Sequence, residues 1–147
     1  MRPPTPEKRV RAEQRKIVAE RANDCCEYCL SQSAFATESF SVEHIIPRVP
    51  GGQTELRNLA LACQGCNGHK HARIRGYDPV IKKEVPLYHS RTQEWHEHFR
   101  WNNDFTLIIG LTPTGRVTLE TLKLNRQGLI NLRQVLYATG KHPPFLT

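Results

Sequence analysis

The sequence predicts a small α+β fold held together by a metal clamp, and three observations carry that prediction. Two cysteine pairs, Cys26-Glu27-Tyr28-Cys29 and Cys63-Gln64-Gly65-Cys66, frame the first half of the chain. Helix-compatible and strand-like stretches follow one another with no internal repeat. The apolar fraction is 38% of 147 residues, too modest to make a large core the main source of stability in the first half. Two C-x-x-C knuckles set apart by a loop are a strong signal for tetrahedral zinc, because each knuckle presents two sulfurs to one ion. Four thiolates leave no open position, so Cys26, Cys29, Cys63 and Cys66 predict a structural site. Such a site contributes about 10–16 kcal/mol of apparent binding energy, against a net domain stability of about 5–15 kcal/mol. Cys25 would give the less usual C-x-x-x-C spacing with Cys29 and is left out of the ligand set. Disulfides are the competing reading. The odd count of five cysteines argues against them, as does the opening Met1-Arg2-Pro3-Pro4, which begins no apolar signal segment. With no membrane-spanning stretch, the expected setting is reducing and cytoplasmic.

The elements follow in order. Glu7–Ala22 has no Gly or Pro and predicts a basic helix, with Lys8, Arg9, Arg11, Arg15, Lys16 and Arg21 against three glutamates. Val10 and Ile17 give it a thin apolar stripe. Its charge fits a solvated helix with spaced ion pairs, and equally a basic face lying along phosphates. Ser39–Ile46 predicts a strand, ended by Pro47 and the Pro50-Gly51-Gly52 turn. Asn58-Leu59-Ala60-Leu61 leads into the second knuckle, and a short helix is expected over Asn67–Arg73. Gly76–Pro86 reads as a loop or linker. Thr92–Arg100 predicts a helix with Trp95 and Phe99 one turn apart, Phe105–Leu111 a strand, and Thr112-Pro113-Thr114-Gly115 a turn. Val117–Leu124 fits a strand or a helix. Asn125 is placed as the N-cap of a last helix through Ala138, closed by Gly140 and Pro143. The expected organisation is a basic helix over 1–24, a zinc-bearing core over 25–76 and a C-terminal strand and helix extension over 77–147.

The formal charge of +7 points to a polyanionic partner. The residues between the knuckles say what could be done to it. Breaking a phosphodiester with water needs a base for the water, neutralisation of charge on the phosphate and stabilisation of the leaving oxygen. His44 is the base, since a neutral imidazole is available near pH 7. Glu43 supplies a hard carboxylate and Asn67 an amide oxygen. One carboxylate suits Mg²⁺, which keeps several waters and is completed by substrate phosphate; Mn²⁺ is the other expected ion. In a regular strand Glu43 and His44 would point to opposite faces, so the site must lie at a strand end or edge, or the strand must be distorted. Arg48, Lys70 and Arg73 are the expected phosphate contacts, with Arg75 nearby. His69 and His71 lie on different helix faces, and His96 and His98 at i, i+2 do not share one. Trp95, Phe99 and Trp101 have the spacing of core residues, although exposed aromatics could stack on bases.

Glu43-His44-Ile45-Ile46-Pro47, Gly51-Gly52, Asn58-Leu59, Cys63-x-x-Cys66-Asn67 and Lys70 together resemble the HNH endonucleases over about Cys26–Lys70. The stretch from Pro86 through Arg126 is similar to the tails of small stand-alone bacterial members. The resemblance implies a ββα-metal core, in which a β-hairpin and a following helix grip one catalytic ion. It implies that Asn58 fixes the loop carrying His44, which its amide can do by donating and accepting at once. Two positions depart from the usual pattern: Glu43 stands where Asp is commoner, and Asn67 where the family name has His. The expected function is metal-dependent hydrolysis of phosphodiester bonds within DNA, with no organic cofactor and no membrane partner. An RNA-directed nuclease would share the whole site, a zinc-stabilised nucleic-acid-binding module would need only the cysteines and the charge, and a protein-interaction scaffold would not need +7.

Overall fold

The computed structural model describes residues 9–49 and 51–144. The predicted start of the first helix at Glu7 and Lys8, and Pro50 of the predicted turn, lie outside the described residues. Helix α1 covers Ala12–Arg21, and the backbone N–H of Arg11 donates to Gln14 Oε1 at its start. Of the expected Val10–Ile17 stripe, Val10 is buried but Ile17 is exposed, and the inward face of the helix runs through Gln14, Val18 and Ala22 instead. The reason is register: Val10 precedes the first helical residue, and the inward face follows the four-residue spacing from Gln14.

Strand β1, Ser41–His44, pairs antiparallel with β2, Leu59–Ala62, placing Glu43 opposite Ala60 and His44 opposite Leu59. All four residues of β2 are buried, because α1 covers Leu59 and Leu61 while Ala62 joins the main core. Helix α2, Gln64–Lys70, follows directly and packs on both strands. Its N-cap is Cys63, whose Sγ accepts from the backbone N–H of Cys66 at 3.4 Å, so one residue both starts the helix and offers a thiolate. Two antiparallel strands and this helix form the ββα unit.

Four expectations for the second half need correction. Gly76–Pro86 is mostly a hairpin rather than a loop: β3, Arg75–Asp78, pairs with β4, Lys83–Pro86. The predicted helix over Thr92–Arg100 shrinks to a single turn, α3, Trp95–His98. Phe99–Trp101 instead forms β5 against β6, Ile108–Gly110. Phe99 buried, Arg100 exposed and Trp101 half-buried is the alternation of a strand, and its partner settles the matter. Thr112–Gly115 is a helix start, not a turn: Thr112 Oγ1 accepts from the Gly115 N–H at 3.0 Å and Pro113 takes the first helical position of α4, Pro113–Thr121. The ambiguous stretch after it is therefore largely helical. Finally, α5, Gln127–Ala138, has Arg126 as its N-cap. Asn125 is instead committed to β6, accepting from Ile108 N–H and donating to Ile108 O, each at 2.8 Å.

One apolar cluster joins the two halves. It contains the four knuckle cysteines, Tyr28, Leu30, Leu87, Tyr88, Trp95, Phe99, Ile108, Val117, Leu122, Leu124 and Leu129. Trp95 and Phe99 pack with ring centroids 5.2 Å apart, and Trp95 Nε1 donates to the backbone carbonyl of Tyr28 at 2.9 Å. These aromatics are core residues.

Candidate active site and zinc cluster

The four thiols of Cys26, Cys29, Cys63 and Cys66 are buried and lie within 4.8 Å of one another. Cys29 Sγ and Cys63 Sγ are 3.7 Å apart. A tetrahedron with Zn–S bonds of about 2.3 Å has edges of about 3.8 Å, so this spacing fits zinc. Cys25 is buried outside the group, its Sγ bonded to the carbonyl of Asn23 at 3.4 Å, and burial pushes its thiol up to about 11. It is a neutral thiol and no ligand.

Nothing in the sequence pointed to the residue that caps this cluster. Arg126, sixty residues downstream of Cys66, directs Nη2 to Cys63 Sγ at 3.3 Å and Nη1 to Cys66 Sγ at 3.5 Å. Burial would lower its basicity, but the surrounding sulfurs at Cys66, Cys29 and Cys63 raise it on balance. Gly65 makes room for it: a Cβ there would stand 2.4 Å from Nη2. The guanidinium offsets part of the net negative charge that four thiolates leave on a divalent ion.

The second centre is a cavity of about 280 Å³ lined by Glu43, His44, Pro47, Arg48, Asn67, His71 and Ala72. His44 is the last residue of β1, and ending the strand there lets it share one cavity with its neighbour Glu43. His44 Nε2 lies 2.8 Å from Thr54 Oγ1. Burial, then Arg48 and Lys70, hold its pKa below the ordinary value, so the ring is neutral at pH 7. Asn58, buried, staples the loop that follows: its Oδ1 accepts from Ile46 N–H, and its Nδ2 donates to the carbonyls of Ile46 and Gln53, all at 2.9 Å. Gly52 closes that loop, since a Cβ there would sit 1.7 Å from the Ile46 carbonyl oxygen.

Glu43 is held from two sides. Tyr28, one of the two residues between Cys26 and Cys29, donates its hydroxyl to Oε1, and Lys70 Nζ lies 3.1 Å from Oε2. Burial pushes the carboxyl up, against the downward pull of Lys70 and Tyr28. Each carboxylate oxygen keeps a second lone pair, and Asn67 on α2 lines the same cavity. Lys70 is the one expected phosphate contact that the fold withdraws. It is 1% exposed, and its ammonium is committed to Glu43 and to the Ile45 carbonyl at 2.8 Å. Arg48 and Arg73 are exposed; Arg48 lines the cavity. Of the two neighbouring histidines His71 reaches the cavity lining, whereas His69 is exposed on α2. Tyr28, Thr54 and Arg126 are the contributors that sequence reasoning missed; Tyr28 stood inside a knuckle and could have been noticed for its hydroxyl.

Residues 26–73 match the family model of the HNH endonuclease. This segment is similar to the HNH endonucleases. Its first and second cysteine pairs, the ββα unit and both cavity walls all lie within it. No curated protein and no solved structure matches the chain.

Proposed function

We propose that the HNH-like segment is a metal-dependent endonuclease that hydrolyses phosphodiester bonds in DNA. The single observation that supports this best is the convergence of Glu43, His44 and Asn67 on one cavity beside the zinc cluster. His44 takes a proton from the attacking water. With Nε2 donating to Thr54 Oγ1, 2.8 Å away, the lone pair that takes the proton would stand on Nδ1. Asn58 keeps the ring in place through the 46–53 loop. Glu43 and Asn67 would hold one Mg²⁺ or Mn²⁺, which supplies charge neutralisation at the phosphate and the leaving oxygen. Arg48 and Arg73 bind flanking phosphates. Zn²⁺ on the four cysteines is structural, and these free thiols suit a reducing, cytoplasmic setting. Among the described residues no helix is long and apolar enough to cross a membrane.

The test is supercoiled plasmid with and without Mg²⁺ or Mn²⁺, wild type beside His44→Ala. His44→Ala is expected to keep its zinc and DNA affinity and to lose about 10²–10⁴-fold in nicking rate, the usual cost of a general base. Cleavage unchanged in that variant would sink the mechanism. Binding by wild type without cleavage under any divalent ion would favour a zinc-stabilised binding module, and preferential cutting of an RNA substrate would reassign the polymer.

A further inference from the structure

The geometry points to the β3–β4 hairpin as a docking ribbon for a groove of duplex DNA, an inference that rests on the nuclease reading. The hairpin continues the cavity wall. His71 and Ala72 line the cavity, Arg73 follows exposed, and β3 begins at Arg75. Arg75 and Tyr77 share the outer face of the ribbon, and the four-residue turn 79–82 ends it with two exposed aliphatic residues, Val80 at 67% and Ile81 at 41%. Lys82 and Lys83 stand beside them, both exposed. Glu84 is the one exposed acid on the two strands, against exposed Arg75 and Lys83 within them and Arg73 and Lys82 just outside. Two-stranded ribbons fit a DNA groove, and this one sets basic residues beside an exposed aliphatic tip. Basic residues would meet phosphates on either wall while the apolar tip inserts between base steps.

The tip is rigid rather than a loose loop. Asp78 is fully buried and receives Arg116 of α4 through two bonds, Nη2 to Oδ2 at 2.7 Å and Nε to Oδ1 at 3.2 Å. The same carboxylate accepts from the N–H of Val80 at 3.3 Å. Gly76 lies flat on α4, where a Cβ would come within 3.1 Å of Val117 Cβ. Arg116 is therefore a fastener for the ribbon, and its charge is not available to the DNA.

The experiment is fluorescence anisotropy of a labelled 30-base-pair duplex, and of one of its single strands, across a salt series without added divalent ion. Val80→Ser/Ile81→Ser is expected to weaken duplex binding about tenfold, the scale of losing burial of two half-exposed aliphatic side chains. The salt slope should stay as in wild type, and single-strand affinity should change little. Lys82→Ala/Lys83→Ala should instead flatten the duplex slope by about two, one for each phosphate no longer neutralised. Asp78→Ala, which frees the ribbon but keeps its surface residues, should also weaken duplex binding. Duplex affinity unchanged in the two surface variants, while wild type binds and cleaves in a His44-dependent way, overturns the docking ribbon and leaves the nuclease standing. Equal losses on duplex and single strand overturn the groove assignment. A wild type with no affinity for either polymer removes the nuclease reading itself.

Discussion

Single residues decide how the cysteine cluster and the Glu43–His44 cavity are kept apart. Lys70 shows the logic. The sequence reading made it a phosphate contact, but it is the last residue of a seven-residue helix whose inward face carries Cys66. A side chain on that face meets Glu43, and a buried carboxylate without a cation would be far costlier than a buried pair. Lys70→Met leaves Glu43 unpaired and is expected to cost about 3–5 kcal/mol. Urea denaturation of the zinc-loaded protein measures it. The salt dependence of DNA binding should hardly change, and a flattened slope at unchanged stability would return Lys70 to the phosphate. Arg126 is the matching case at the zinc cluster. Arg126→Met removes the guanidinium, and Gly65→Ala displaces it from Cys63 without removing it. Both are expected to speed zinc loss to a chelator under native conditions, since hydrogen bonds from outer partners typically contribute about 10–100-fold in metal affinity. Val18→Ala, in the separate apolar cluster under α1, should lower stability without that acceleration. If all three variants release zinc alike, Arg126 acts only through packing.

At the scale of elements, what sequence could reveal depended on how local the cause was. The cysteine cluster was legible from fixed C-x-x-C spacing, and β1 from Val42, Ile45 and Ile46 ahead of Pro47. Helix α2 was expected over Asn67–Arg73 and begins three residues earlier, because Cys63 caps it. The meeting of Glu43 with His44 was legible as a difficulty, and its solution, a strand that ends at His44, is visible only in the pairing with Leu59. The second half was read less well because its elements are chosen by distant partners. Arg75–Asp78 contains a glycine and Lys83–Pro86 ends on a proline, so neither looks like a strand until Asp78 meets Arg116 and Gly76 meets Val117. Asn125 has the residue type of a helix cap, yet its amide completes the edge of β6 instead, where it pairs with Ile108 and also receives Arg133 Nη1 at 3.0 Å. Tertiary partners override local propensity most easily in short elements, and the strands here have three or four residues.

At the scale of the molecule, the question is whether zinc holds one half or the whole. Composition suggested that the metal supports the first half alone. The packing argues otherwise. The four cysteines lie in the same apolar cluster as Trp95, Phe99, Ile108, Leu122, Leu124 and Leu129. Trp95 is bonded to the backbone of the first knuckle, and Arg126 spans from the start of α5 to the second. Removing the ion would leave four buried thiols and a half-buried guanidinium facing one another, with up to about 10–16 kcal/mol of apparent binding energy lost. That is as large as the stability of an ordinary domain, and the extension has no second large core to fall back on among its described residues. Chelation is therefore expected to unfold both halves together. Trp95 is 6% exposed, so its emission reports on the extension, while circular dichroism reports on all helices. Stripping zinc should shift tryptophan emission to the red in step with the loss of helical signal, and readdition of zinc should reverse both. Native tryptophan emission persisting in the zinc-free protein would show that the extension folds by itself and that the shared cluster is two cores in contact.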